Sequence, residues 1–407
     1  MSITSALQVG VSGLQANSSR VQSISSNIAN ANTVGYRRTF SEFVTQNTGS
    51  TQAGVLTDTR ADISANGSIM GTGRSTDLAV QGNGFFVVSR NPNDPVESNY
   101  YMTRAGSFTP DQDGNLRNAA GYFLSGYPTD ANGATGSVSS TSYGDLETVN
   151  IASYQIPGSP STTVGVSGNL PAQETGPGTS GTAFESTLRY VNQLGGSDEL
   201  SISWTPGTTP SEWMVNITGS DGTNYGDGIV NFNDSGPMAG TPSMYSSLGL
   251  PLNVNGEVTL TINNGATPQT LEIDFGAPGT FEGMTQFSGD YTPPAFDDDG
   301  TETGSLERAE MSDTGILFGV FDNGQRRALY QVPLANVPNP DEMRSVEGNA
   351  YVATRASGTV NLGGAMSNGL GSINSGALEG SNVDIAQELT DLIQTQRAYS
   401  SNSKIIT

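Results

Sequence analysis

Three stretches carry residue types whose spacing could do chemistry. Asp111-Gln112-Asp113-Gly114-Asn115 opens with the alternating oxygens of a calcium loop, but Leu116 stands where the sharp turn requires glycine and no glutamate closes the loop at its twelfth position. It reads as a hairpin turn. Asp297-Asp298-Asp299-Gly300 gathers three carboxylates beside proline and glycine, the composition of a solvated acidic loop. Gly71-Thr72-Gly73-Arg74 has no apolar strand before it, no third glycine and no following Lys-Ser or Lys-Thr, so neither nucleotide fingerprint is met. The chain has no cysteine and no histidine, which removes thiol nucleophiles, disulfides, imidazole bases and the usual metal ligands together. With 39 carboxylates some pairs must lie close in space, so acid pairs of glycosidase type follow from abundance and are no signal. The expectation is a protein that is not an enzyme, with no cofactor and no metal.

The net charge is −23, with a single lysine, Lys404. Nucleic acids and anionic membranes are bound through clusters of Lys and Arg, so neither is an expected partner. No stretch approaches the roughly 20 apolar residues that span a bilayer. The first basic residue is Arg20, so the N-terminus lacks the basic start and apolar run of a cleavable secretory signal.

The elements that would position any function are unevenly distributed. A chain of 407 residues is expected to form two or three domains, and 52 Gly, 20 Pro and few charges favour short strands and turns in its centre. Residues 1–146 carry 8 basic and 10 acidic side chains, residues 314–407 carry 6 and 8, and residues 147–313 carry 2 and 21. The middle therefore holds −19 of the −23 and is expected to be an acidic outer β domain facing solvent, since copies of it would repel one another.

The ends read differently. Ile3, Leu7, Gly10, Leu14, Asn17, Val21, Ile24 and Ile28 follow alternating spacings of four and three, a coiled-coil seam over residues 1–30. Ile385, Leu389, Leu392, Gln396, Tyr399, Ser403 and Ile406 repeat that spacing after a helix start at Ser381 or Asn382. The two helices are expected to pair; the same stripes also suit two helices docked separately on a globular core. Between them, Asn83-Gly84, Asp113-Gly114, Asn132-Gly133, Asn255-Gly256, Asn264-Gly265 and Asn323-Gly324 flank β-rich runs and predict hairpins. Residues 31–73, rich in Thr, Ser, Gly and Asn, read as an extended linker. The expected fold class is multidomain: paired N- and C-terminal α-helices, coiled-coil-like, around mainly-β nested domains. Their ranges are 1–30 with 376–407, 74–146 with 314–375 as a β domain built from both flanks, and 147–313.

The segment Ile24-Ser-Ser-Asn27-Ile-Ala-Asn30-Ala-Asn32-Thr-Val-Gly35-Tyr36-Arg-Arg resembles the signature of flagellar rod and hook proteins. Asn30, Asn32 and Gly35 are types that stop a helix and turn the chain, and Tyr36 could anchor the connector in an interface. The stretches from Asp77, Thr103, Asp113 and Gly121, then Leu334-Ala-Asn-Val-Pro-Asn-Pro, Gly376-Ala-Leu-Glu-Gly-Ser-Asn-Val-Asp and Thr395-Gln396-Arg397-Ala-Tyr399, resemble the same family in the same order. Within it, hook subunits differ from rod subunits by a sizeable extra middle domain, which this chain has. The resemblance implies a hook subunit that polymerises through its terminal helices into a flexible, torque-transmitting helical tube. It also implies contacts with rod, hook-cap and hook-filament junction proteins, and export by the flagellar secretion apparatus to a place outside the cell. Two rival readings are a distal rod subunit, which the insert disfavours, and a secreted carbohydrate-binding or hydrolytic β protein, which leaves the terminal motifs unexplained.

Overall fold

The computed structural model describes residues 3–48, 51–130, 133–152, 154–263 and 267–406. Helix α1 (Ile3–Ala29) has no acidic residue in its first turn and no basic residue in its last, so it draws little from its own dipole. Its end is set where Thr33 N–H donates to the Asn30 carbonyl and Gly35 takes φ +69°, a left-handed turn that glycine allows. Helix α2 (Ile385–Ile406) begins on Asp384, whose carboxylate accepts from the N–H groups of Ala386 at 2.9 Å and Gln387 at 3.3 Å. The expected start at Ser381 or Asn382 is corrected accordingly. Asn382 is spent elsewhere, accepting from Arg38 N at 2.6 Å and donating to the Asp62 and Ala65 carbonyls.

The stretch expected as an extended linker contains a long hairpin instead. Strands β1 (Thr39–Thr48) and β2 (Thr51–Ala61) pair antiparallel from Thr39↔Ala61 outward, and both pack on α1. Weak sequence periodicity hid it: Phe43, Val44 and Leu56 are exposed, so the hairpin has no continuous buried face of its own and is held through polar links such as Ser23 to Ser41 and Ser12 to Val55 N.

The chain divides into two compact units, Met1–Tyr154 with Leu306–Thr407, and Gln155–Ser305. The second lies inside the acidic span, and residues 147–154 and 306–313 belong to the first. In the first unit the next strands are β3 (Ile69–Gly71), β4 (Leu78–Gln81), β5 (Phe85–Ser89) and β6 (Tyr100–Thr103). Both flanks build its sheets: β3 pairs with Ala377–Glu379, β4 with Ser372–Ser375, β5 with Leu334–Asn336, and β6 with Ala350–Val352. Phe85, Val87, Met102, Tyr127, Val337 and Tyr351 fill its core. Because β4 and β5 pair with these later strands rather than with each other, Asn83-Gly84 joins two separate sheets and closes no hairpin. Asp113-Gly114 and Asn323-Gly324 do close hairpins, with Pro110↔Leu116 and Val320↔Arg326 in register. Asn132, Asn264 and Gly265 lie outside the described residues.

The second unit stacks a five-stranded antiparallel meander, Phe184–Val191 through Pro242–Leu248, against a five-stranded mixed sheet centred on Thr163–Pro171. Inward positions alternate along each strand, as in Leu200, Ile202 and Trp204, and Trp204 meets Phe275 edge-on at 5.3 Å. Among the described residues no helix is long and apolar enough to cross a membrane.

Candidate functional site

Two adjacent arginines at the end of the Asn27–Tyr36 motif point to two different buried carboxylates. Arg37 donates to Glu379 at 2.6 Å, with both side chains fully buried. Glu379 also accepts from Arg104 at 3.0 Å and from Gly67 N at 2.8 Å. Burial lowers the Arg104 guanidinium from its ordinary value, and the Glu379 charge opposes that shift. Tyr351 packs at the same place, where burial pushes its phenol up to about 12 against the pull of Arg37. Gly35 seats the turn here: a Cβ on it would fall 2.6 Å from Ala105 N.

Arg38 donates to the buried Glu388 at 2.5 Å and lies 3.6 Å from Asp391, which Arg20 approaches at 3.9 Å. Asn27 joins the same network. Its amide donates to the Thr39 carbonyl at 2.7 Å and to Glu388 at 3.1 Å, and accepts from Thr39 N at 2.9 Å and Tyr36 Oη at 3.1 Å. One polar lock therefore ties α1, the start of β1 and α2 together.

This lock decides which way α2 faces. Glu388 and Thr395 are its buried positions, with Asp391 and Leu392 half-buried. Of the expected seam, Leu392 turns inward, whereas Ile385 (45% exposed) and Leu389 (46%) face outward, and Ile393 (53%) joins them; Tyr399 (45%) follows Glu388 and Thr395 at heptad spacing and shares their face. This corrects the expected α1-facing stripe: seating the two carboxylates on Arg38, Arg20 and Asn27 rotates the apolar ridge away from α1. On α1, Ile24 is buried, Leu14, Val21 and Ile28 are half-buried, and Leu7 is exposed. The side chains of Ile3 and Ile406 lie outside the described residues. Of the motif residues, Asn30 closes the helix end by donating to Ser26 O at 2.9 Å, while Asn32, Gln396 and Arg397 are exposed. Arg37, Arg38, Arg104, Glu379 and Glu388 were not singled out from sequence. Their signal was present in composition, as isolated charges among neutral residues at both ends of a nearly uncharged pattern.

The acidic loops do local structural work. Asp111 accepts from Asp113 N at 3.0 Å and Asn115 N at 2.8 Å, bracing the turn. Asp299 accepts from Thr162 N at 2.7 Å and Thr163 N at 3.0 Å; its partial burial acts to raise the carboxyl, and these donors outweigh that and hold it at about 2. Among the described residues no group of three or more acidic side chains is placed to hold a metal ion.

Chain ends that meet in one helical pair, with β domains nested between them, define a class of terminal-helix structural subunits. Four family models match along the chain: Flagella basal body rod protein over residues 7–37, Flagellar hook protein FlgE/F/G D1 domain over 79–170, Flagellar basal body protein FlaE D2 domain over 169–301, and Flagellar basal body rod FlgEFG protein C-terminal over 374–407. The flagellar hook protein FlgE of Brucella abortus is 37% identical over 411 residues, covering 100% of this chain and 96% of the relative. Those of Rhizobium meliloti (34%, covering 100% and 96%) and Salmonella typhimurium (30%, covering 97% and 95%) are similar over nearly the same length. The chain belongs to the flagellar hook protein family, a family of structural subunits of the bacterial flagellum.

Proposed function

We propose that this hook subunit polymerises through the outward ridge of α2, Ile385, Leu389 and Ile393, against neighbouring copies. The observation that carries the reading is the inversion of α2: Glu388 and Asp391 are satisfied within the chain while its apolar ridge is left uncovered. An exposed apolar ridge on a helix held by polar locks is what an assembly contact requires. Head-to-tail contacts between identical copies that do not close a ring generate a helical tube. Such a tube couples the rod to the filament and bends while transmitting torque. Rod, hook-cap and junction proteins are its partners at either end, reached after export by the flagellar secretion apparatus. No catalytic step belongs to this role.

The test compares the full chain with the double variant Leu389→Glu/Ile393→Glu under polymerising conditions, by negative-stain electron microscopy and sedimentation. Filaments from the parent, and monomers of unchanged circular dichroism from the variant, are expected. Filaments from both would overturn the assignment of this face.

A further inference from the structure

Three segments distant in sequence, at residues 35–37, 67 and 104, converge on Glu379. Arg37 and Arg104 reach it across 342 and 275 positions, and Gly35 N–H donates to its carbonyl at 2.9 Å. Gly67 lies so close to Gly380 that a Cβ would meet the Gly380 carbonyl oxygen at 2.1 Å. Arg104 is further fixed by donating to the Gly82 carbonyl at 2.8 Å and by stacking over the Phe85 ring, so it cannot swing out to water without opening the core. Among the described residues, Glu379 is the sole ion-pair partner of both buried guanidiniums.

We infer that Glu379 is the closing strap of the unit built from the two flanks: that unit stays open until the C-terminal segment seats its carboxylate between Arg37 and Arg104. Two guanidiniums taken from water without a counter-charge are strongly unfavourable. The strap also carries strand Ala377–Glu379 onto β3, and six residues beyond it α2 begins. The unit Gln155–Ser305 is continuous in sequence and has its own apolar core, so it needs nothing from either end. It therefore folds first, and the flank unit closes only in a chain delivered whole. Where assembly uses α2 as proposed above, incomplete chains are kept out of the polymer; that consequence rests on the assembly reading, whereas the folding order does not.

The experiment is hydrogen exchange, read by mass spectrometry, on the full chain, the variant Glu379→Gln, and the triple variant Arg37→Met/Arg104→Met/Glu379→Met. Glu379→Gln should speed exchange at 35–38, 69–71, 100–103 and 377–379 by at least about a hundredfold, leaving 197–206 unchanged. The triple variant, with no buried charge left to compensate, should return to within about tenfold of the parent. Unchanged protection in Glu379→Gln, or a triple variant no better protected than it, overturns the charge argument. In pulse-labelled refolding, 85–89 should gain protection together with 377–379 and after 197–206. Protection of 85–89 ahead of 377–379 overturns the closing order. None of these readouts involves polymerisation, so failure here is distinguishable from failure of the assembly reading.

Discussion

Asn27 gives both amide protons and accepts from three donors, across a helix, a turn and a second helix. An aspartate of nearly the same shape would keep the accepting side but lose the donor to Glu388, placing a second carboxylate where 3.1 Å now separates amide and acid. Replacing Asn27 by Ala leaves buried partners unsatisfied, a loss of about 1–3 kcal/mol. Urea unfolding of Asn27→Ala should show that loss in the flank unit alone, and Asn27→Asp should lose at least as much at neutral pH. The residue type and the motif around it were readable in sequence. Its role was not, because Glu388 lies 361 positions away and no local pattern pairs the two.

Among the elements, α1 is a helix that its own sequence barely supports. Gly10 and Gly13 lie within it, and its buried positions include Asn17, Ser23 and Asn27. Gly13 faces α2, and a Cβ there would meet the Asn402 amide nitrogen at 2.9 Å, the far end of a flexible side chain that can move aside. Gly13→Ala should therefore stabilise α1 by up to about 1 kcal/mol, seen as slower amide exchange through the helix. Faster exchange would show that the close approach to Asn402 outweighs helix propensity. The existence of both helices was legible from spacing, and the hairpin of β1 and β2 was not. Its Phe43, Val44 and Leu56 are exposed, so burial left no alternation to read.

Across the molecule as a whole, charge separates the two units. Residues 155–305 hold 17 acidic side chains and one arginine, Arg189. Self-repulsion of that kind is screened by salt. Calorimetry of the full chain should resolve two transitions, and raising salt from about 0.05 to 0.5 M should shift the transition of the acidic unit upward by more than that of the flank unit. Equal shifts would mean that repulsion among these carboxylates does not limit the stability of the acidic unit.

Composition and local periodicity were enough to specify two terminal helices, a β-rich body, an acidic insert, and the absence of the thiol and imidazole groups on which most enzyme sites depend. The helix stripes and turn dipeptides are short-range signals, so they survive without knowledge of the fold. Long-range contacts alone set which face of α2 turns inward and that Glu379 and Glu388 gather Arg37, Arg38 and Arg104. The physical reason is the same in each case. Leaving a buried charge without its partner costs more than exposing a few apolar side chains, and the partners come from opposite ends of the chain, where periodicity carries no information about who meets whom.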